Sequence, residues 1–408
     1  MNFKNFSRKN YQIPLIIASI IVSVLLFVSI TAWAEDNISV LESQANSGNT
    51  DAQNTMGMHY VKGKGVPQDY HKAAYWFRLA ANQGYSRAQY NLGELYMDGQ
   101  GVPQDYSKAA FWFRLAAKQG HIWAQYNLGS LYENGLGVPQ DYQKAAHWYR
   151  LSAHQGDLRA QDNLGLLYAK GKGVFQDYTK AVYWLRLSAH QGSGLAQYSL
   201  GVFYESGKGV SQDYVKAVHW LRLSAKGGNS DAQNELGVLY ERGEGVPQDY
   251  WKAAIWYRRA ADLGNPISQN NLGVLYDKGE GVPQDYQKAA HWYRLAALQG
   301  YAWGQTNLGA LYYFGRGVTQ DYGKAAYWTR LAAQQWNATA QDNLGELYAN
   351  GQGVSKDYVK AYKWYLLAKA GGSSDAINDM KKLLPLMTSD QISEGQRLAN
   401  DLVDSKAP

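Results

Sequence analysis

The sequence predicts an all-α fold, a solenoid of nine 36-residue helix-loop-helix repeats with a capping helix at each end. Three observations predict it. The phrase Gly-Val-Pro-Gln-Asp-Tyr at residues 65–70 returns at Gly101, Gly137, Gly173, Gly209, Gly245, Gly281, Gly317 and Gly353, each time 36 residues on, and its Asp and Tyr never change. A fixed period of about 20–50 residues marks an array of stacked units. Inside each period apolar residues recur at helical spacing, and glycines punctuate the helical runs. Such an array grows in one dimension, so 408 residues need not mean two or three globular domains.

Residues 1–34 read as a targeting segment. A basic start (Lys4, Arg8, Lys9) leads into an apolar run of 18 residues, Ile13 to Ile30, and then Ala32-Trp33-Ala34 in the arrangement of a signal peptidase site. The run is long for a signal peptide and long enough to span a bilayer. Two readings stay open: a cleaved signal, or a membrane tether through residues 13–34. Both place the repeats outside the cytoplasm, because the positive end stays inside.

Residues 35–48 form a worn half-repeat, with Ala45, Asn46 and Gly48 one period before Ala81, Asn82 and Gly84. A helix that caps the first repeat is expected there. Nine full repeats then occupy 49–372. In the second, Ala88, Leu92, Leu95 and Tyr96 share one face of a first helix. Gly99 and Gly101 end that helix, since glycine accepts the left-handed C-cap. Asp105 is placed to N-cap a second helix that carries Lys108, Ala109, Trp112 and Ala116. Trp112 recurs in all nine repeats as a core ring. A glycine also recurs mid-helix, as Gly57, Gly93 and so on to Gly345. Each costs about 1 kcal/mol against alanine, so the second helix is expected to cross the first closely there. Lys108 and its equivalents are expected to lay their stems on the Trp four residues on, with the ammonium near the capping Asp. Residues 373–408 leave the pattern. Ala376 and Met380 continue a first helix, Pro385 breaks it, and Thr388 opens a last helix with Ile392, Leu398 and Leu402 on one face.

The unit Ala-Gln-x-Asn-Leu-Gly-x-Leu-Tyr, the loop Gly-x-Gly-Val-x-x-Asp-Tyr-x-Lys-Ala and the Trp helix ending in Ala-Ala resemble the Sel1-like repeat family, relatives of the tetratricopeptide repeats. The resemblance implies a right-handed α/α superhelix and a scaffold or adaptor role in secretion, envelope biogenesis, signalling or host interaction. In the tetratricopeptide relatives a concave groove grips a peptide. By that resemblance, the positions that vary between repeats are assigned to binding a protein or peptide. They include Tyr90, Tyr126, Tyr198 and Tyr313. The Asn before Leu-Gly recurs as Asn91, Asn127, Asn163, Asn271, Asn307 and Asn343. An amide that donates and accepts suits an extended backbone, and it equally suits a bond inside the scaffold. Trp123 and Trp303 precede the first-helix alanine position and read as interface anchors or as ordinary packing.

Function classes narrow by what the chain lacks. Half of the net charge of +6 belongs to Lys4, Arg8 and Lys9, so the repeats carry too little positive charge to argue for nucleic acid. There is no cysteine, hence no disulfide, thiolate metal site or thiol catalysis. The eight histidines form no metal spacing, and no nucleotide or hydrolase motif occurs. No catalytic, metal or cofactor site is expected. The leading reading is a non-enzymatic, exported scaffold of the bacterial envelope. The alternative is a cell-wall glycan or β-lactam-binding protein with hydrolase activity. Cysteine-rich relatives suggest the β-lactam role, and their paired cysteines are missing here.

Overall fold

The computed structural model describes residues 38–405. The segment 1–34, read above as a signal or tether, lies outside the described residues. Among those described, every regular element is a helix, and no helix is long and apolar enough to cross a membrane. The chain divides into two compact units between Gln191 and Gly192. The first holds a helix over residues 38–46 and four helix pairs; the second holds five pairs and a closing segment.

The second repeat shows why the pairs form. Its first helix, Ser86–Asp98, stops at Gly99, whose left-handed φ of 72° turns its N–H back to the Leu95 carbonyl. The next loop glycine, Gly101, has no room for a side chain. A Cβ there would lie 2.2 Å from the Tyr70 carbonyl, so this loop rests on the start of the previous repeat's second helix, as do the loops at Gly137, Gly173, Gly245, Gly281, Gly317 and Gly353. Asp105 then caps Tyr106–Lys118 by accepting from the Lys108 N–H at 2.9 Å. All nine second helices start this way, on the Asp of the repeated phrase.

The mid-helix glycine does mark a close crossing. A Cβ at Gly93 would sit 2.6 Å from the Phe113 ring, and one at Gly273 the same distance from Tyr293. The residue that presses there is not the repeated Trp but the one after it: Phe77, Phe113, Tyr149, Leu185, Leu221, Tyr257, Tyr293 and Tyr365. The Trp rings pack beside this contact, buried at Trp76, Trp184, Trp220, Trp292 and Trp364 and half-buried in the other repeats.

The lysine reading needs correction. Lys108 Nζ does reach Asp105 at 3.0 Å, but it lies over the Tyr96 ring, 5.5 Å from its centre, rather than along Trp112. The ring of Tyr96 faces the second helix's first turn, where the ammonium is, while its hydroxyl accepts from Arg78 of the preceding repeat at 3.1 Å. The same Arg–Tyr bond recurs as Arg114–Tyr132, Arg150–Tyr168 and Arg258–Tyr276.

Within each unit a buried amide chain staples most helix pairs to a neighbour. Gln89 donates to the Ala81 carbonyl behind it and accepts from Gln119 ahead, at 3.1 and 2.8 Å. Gln53, Gln125, Gln161, Gln269 and Gln305 make the same two bonds. In the sixth repeat the forward partner is Leu263, and Gln233 Oε1 is left buried with no hydrogen bond.

At the C-terminal end, Ser374–Leu383 carries buried Ala376 and Met380, a 3-10 turn follows at Leu384–Leu386, and Ser389–Asp404 begins with a capping box of Thr388 and Gln391. Gly395 and Ala399 let this last helix lie against Tyr362 and Trp364.

The orphan at Gln233 gives a direct test of the staple. Leu263→Gln should restore the missing donor and stabilise the fold by about 1–2 kcal/mol, since a buried unsatisfied acceptor costs that much. Denaturant unfolding checks it, with the surface swap Leu136→Gln as reference. Equal effects of the two changes would contradict the staple.

Candidate functional site

The positions that vary between repeats lie two, six and nine residues after the first-helix alanine, on one side of that helix. In the first unit they assemble an aromatic cluster. Tyr90 stacks on His121 with ring centres 4.6 Å apart and planes at 19°, and Trp123 stands 5.8 Å from Tyr90. Trp123 keeps 54% of its surface exposed. Burial, and then the charge of Arg87, hold the His121 pKa below its usual value. His121 therefore serves as a neutral stacking ring, its Nδ1 accepting from the Ala124 N–H at 3.3 Å. One repeat on, the Arg159 guanidinium lies 4.1 Å over the Tyr126 ring while paired with Asp157 at 3.2 Å. The result is a partly exposed strip of indole, two phenols and a guanidinium, the side chains that anchor protein interfaces.

The asparagines bond mainly between repeats. Asn91 donates to Asn54 at 2.8 Å, Asn271 to Asn234 at 3.3 Å and Asn307 to Asn270 at 2.9 Å. Each bond spans 37 residues, one period plus one. Asn127 donates instead to Glu94 at 2.6 Å, whose pKa burial pushes up. Asn163 meets the hydroxyls of Tyr126 and Tyr149. Asn343 has Thr306 at its ladder position, and Thr306 gives its hydroxyl to the Ala302 carbonyl. At the next step Asp342 meets Asp379 where the ladder would place an asparagine. Asp379 turns to Lys382 at 2.7 Å, and Asp342 Oδ1 is buried with no hydrogen bond. Burial first, then the charges of Asp379, Asp375 and Glu346, push the Asp342 pKa up to about 6.

The other predicted residues fall elsewhere. Tyr198, in the second unit, is half-buried against the cluster of Val218, Leu221 and Leu236, near Glu235. Tyr313 bonds Glu346 and Gln352 at 3.3 and 3.1 Å. Trp303, 48% exposed, lines an open cleft with Trp336, Asn337, Thr339 and Ser373. Trp123 and Trp303 thus belong to different units. Sequence reasoning missed a further strip on the second helices. Tyr75, Phe111 and Tyr183 are exposed and meet the adjacent Trp rings edge-on at 5.0–5.3 Å. Their spacing in multiples of 36 residues was the available signal. Among the described residues no group of three or more His, Asp or Glu side chains is placed to hold a metal ion.

Stacked helix pairs with a polar-aromatic first-helix face define the class: an α/α repeat protein. The Sel1 repeat model matches residues 50–85, 86–121, 124–157, 158–193, 194–229, 230–265, 266–301, 304–335 and 338–373. The chain belongs to the Sel1 repeat family, whose members generally mediate protein–protein contacts. A solved structure of c5321, a protective antigen of uropathogenic Escherichia coli strains with the same repeat fold, is 35% identical over 90% of this chain and 87% of that one, with a TM-score of 0.61. A Sel1 repeat protein from Oxalobacter formigenes is 34% identical over 76% of this chain and 89% of that one, with a TM-score of 0.62. No curated protein is similar enough to match.

Asp342 yields a pH prediction. Its folded pKa lies above the unfolded value, so the folded state holds the proton more tightly. Its penalty is absent below about pH 4, grows as pH rises toward 6 and is constant above. Asp342→Asn should therefore raise the melting temperature at pH 7 and leave it unchanged at pH 4. A gain of equal size at both values would refute the carboxylate repulsion.

Proposed function

We propose that the chain is a non-enzymatic scaffold of the bacterial envelope that binds a protein or peptide on its first-helix face. One observation carries the reading: Tyr90, Trp123 and Tyr126 gather with Arg159 into a partly exposed strip in which Trp123 keeps 54% of its surface. Large aromatic and guanidinium groups held in place by neighbours lose little entropy on binding. Asn91, Asn127 and Asn163 border the strip; the second unit has its own asparagines, Asn271, Asn307 and Asn343, and the phenols of Tyr198 and Tyr313. Export rests on residues 1–34, and the protective-antigen role of c5321 supports it.

The test places a photo-crosslinking residue at position 123 of the chain, expressed in a bacterial host, and sequences the crosslinked products by mass spectrometry. Crosslinks to one defined segment of a protein, lost when Tyr90 and Tyr126 are both changed to Ala, are the expected outcome. The same experiment reads the N-terminal peptide. A start at Glu35 gives a free periplasmic or secreted scaffold, and an intact start gives a tethered one. Crosslinks that survive the double change would sink the surface assignment.

A second reading, glycan binding, is favoured at one place. Eight of the nine repeats close on glycine, and the eighth closes on Trp336, which takes the left-handed φ of 64° that side chains disfavour. At equivalent positions such as Gly264 and Gly300 a Cβ meets nothing within 4 Å, so the scaffold has no packing need for this ring. Trp336 and Trp303 flank a cleft lined by amide and hydroxyl groups, which suits the faces and hydroxyls of a sugar. Quenching of indole fluorescence by chitotriose, lost in Trp336→Gly, would favour this reading; unchanged fluorescence would remove it.

A further inference from the structure

The large side chain that presses on the mid-helix glycine is absent from one repeat. Eight second helices carry Phe, Tyr or Leu at this place, all at most 3% exposed. The eighth carries Thr329, also buried, whose Oγ1 lies 2.7 Å from the position of a Cβ on Gly309. A threonine fills far less of the space between the helices than a ring. The difference shows as a pocket of about 50 Å³, open at its mouth, and it lies wholly within the second unit. Ala310, Ala325, Thr329 and Leu347 line it, and Tyr313, Phe314, Asn343 and Glu346 complete it.

The mouth departs from the repeat as well. The place of Phe314 is polar in every other repeat (Lys62, Asp98, Asn134, Lys170, Ser206, Arg242, Lys278, Asn350), yet Phe314 is 58% exposed. The place of Tyr313 carries an acid in the third, sixth and seventh repeats, where the second-helix Tyr bonds it: Tyr149 to Glu133, Tyr257 to Glu241, Tyr293 to Asp277. In the eighth repeat the phenol stands on the first helix instead and holds Glu346 and Gln352. So one ring has left the interior and two have appeared at the opening.

Acidic groups outnumber basic ones at the opening. Glu346 lines the pocket, and Asp342 lies one turn before it, its Oδ1 buried without a hydrogen-bond partner. Asp375 and Asp379 act on Asp342 with the same sign, and the opposing Lys382 is bound to Asp379. The other nearby cations are engaged with rings: Arg316 lies over Phe314 at 5.0 Å and Lys356 over Tyr358 at 4.8 Å. An apolar hole beside Glu346 and a carboxylate oxygen that has no hydrogen bond matches a particular pair of side chains.

We propose that the Thr329 pocket takes one apolar side chain, Leu or Phe, of an extended protein segment, and that a Lys or Arg next to it in that segment pairs with Glu346 and Asp342. This rests on the reading that the first-helix face binds protein, and it names the residue pair the second unit selects. The aromatic or aliphatic side chain supplies the buried area, and the cation supplies the specificity, because a reversed charge would be repelled at the rim.

The test uses the full chain with labelled methyl groups and two capped peptides, acetyl-Gly-Phe-Arg-Gly-amide and acetyl-Gly-Phe-Glu-Gly-amide. The Arg peptide should shift the methyl signals of Thr329, Ala310, Ala325 and Leu347, with affinity on the order of millimolar for so small a probe. The Glu peptide should bind at least about tenfold more weakly. Thr329→Phe restores the residue type of the other repeats, so it should fold at least as stably and abolish both responses. Glu346→Gln keeps the pocket and should erase most of the preference for Arg. Peptides that leave the Thr329 methyl unmoved, that bind Thr329→Phe equally well, or that show no charge preference would overturn the proposal. A chain that still crosslinks a partner through position 123 while the peptides leave Thr329 unmoved would overturn the pocket alone and leave the wider reading standing.

Discussion

The contact of a second-helix side chain with the bare backbone of the first helix governs this molecule. At Gly57, Gly93 and Gly237 an added methyl would lie 2.4–2.6 Å from a ring atom of Phe77, Phe113 or Tyr257. Glycine inside a helix gives up about 1 kcal/mol of helix propensity, and the chain accepts that loss nine times. What it gains is a short distance between the helices of each pair, with a large side chain filling the crossing in eight of the nine. That crossing fixes which side of the first helix is covered. The uncovered side carries Tyr90, Tyr126 and their equivalents, so the packing contact and the candidate binding face have one cause.

Polar groups then lock one pair to the next. The Gln89 type of residue is about 4% exposed and makes one bond backward and one forward. Buried amides in series are costly when one partner is missing, and so they specify the register of stacking as well as stabilising it. The Lys–Asp pairs contribute much less. Lys108 and its equivalents are largely exposed, and such pairs are worth about 0–1 kcal/mol. Their regularity reflects the capping Asp, which does the more important work of starting the second helix.

Much of this was legible in the sequence, and the limits have physical reasons. Period, helix ends, capping Asp and buried Trp follow from spacing alone. The close crossing at the glycine was also legible, but not the residue that makes it, because spacing assigns a residue to a face without telling which neighbour reaches furthest. Phe113 and Trp112 are adjacent in sequence, and only the rotation of the helix decides that Phe113 touches Gly93. Lys108 was misplaced for the same reason: its reach to Tyr96 crosses between helices. The asparagine row was visible as a row, yet its bonds run to the repeat before, 37 residues away, an offset that only stacking creates. Thr329, Leu263 and Trp336 could each be picked out as departures from the residue most repeats carry. Whether a departure leaves a pocket, an orphan acceptor or an exposed ring depends on what surrounds it.

The unifying idea is that invariant positions build the scaffold and departures from the repeat carry recognition. Hydrogen exchange of the full chain, alone and with the protein segment recovered by crosslinking, tests this most directly. Slowed exchange along Ser86–Asp98 and Ile122–Asn134, the first helices that carry Tyr90, Trp123 and Tyr126, is the result expected. Slowing confined to the second helices that carry Tyr75, Phe111 and Tyr183 would contradict it and move the binding face to the opposite side of each pair.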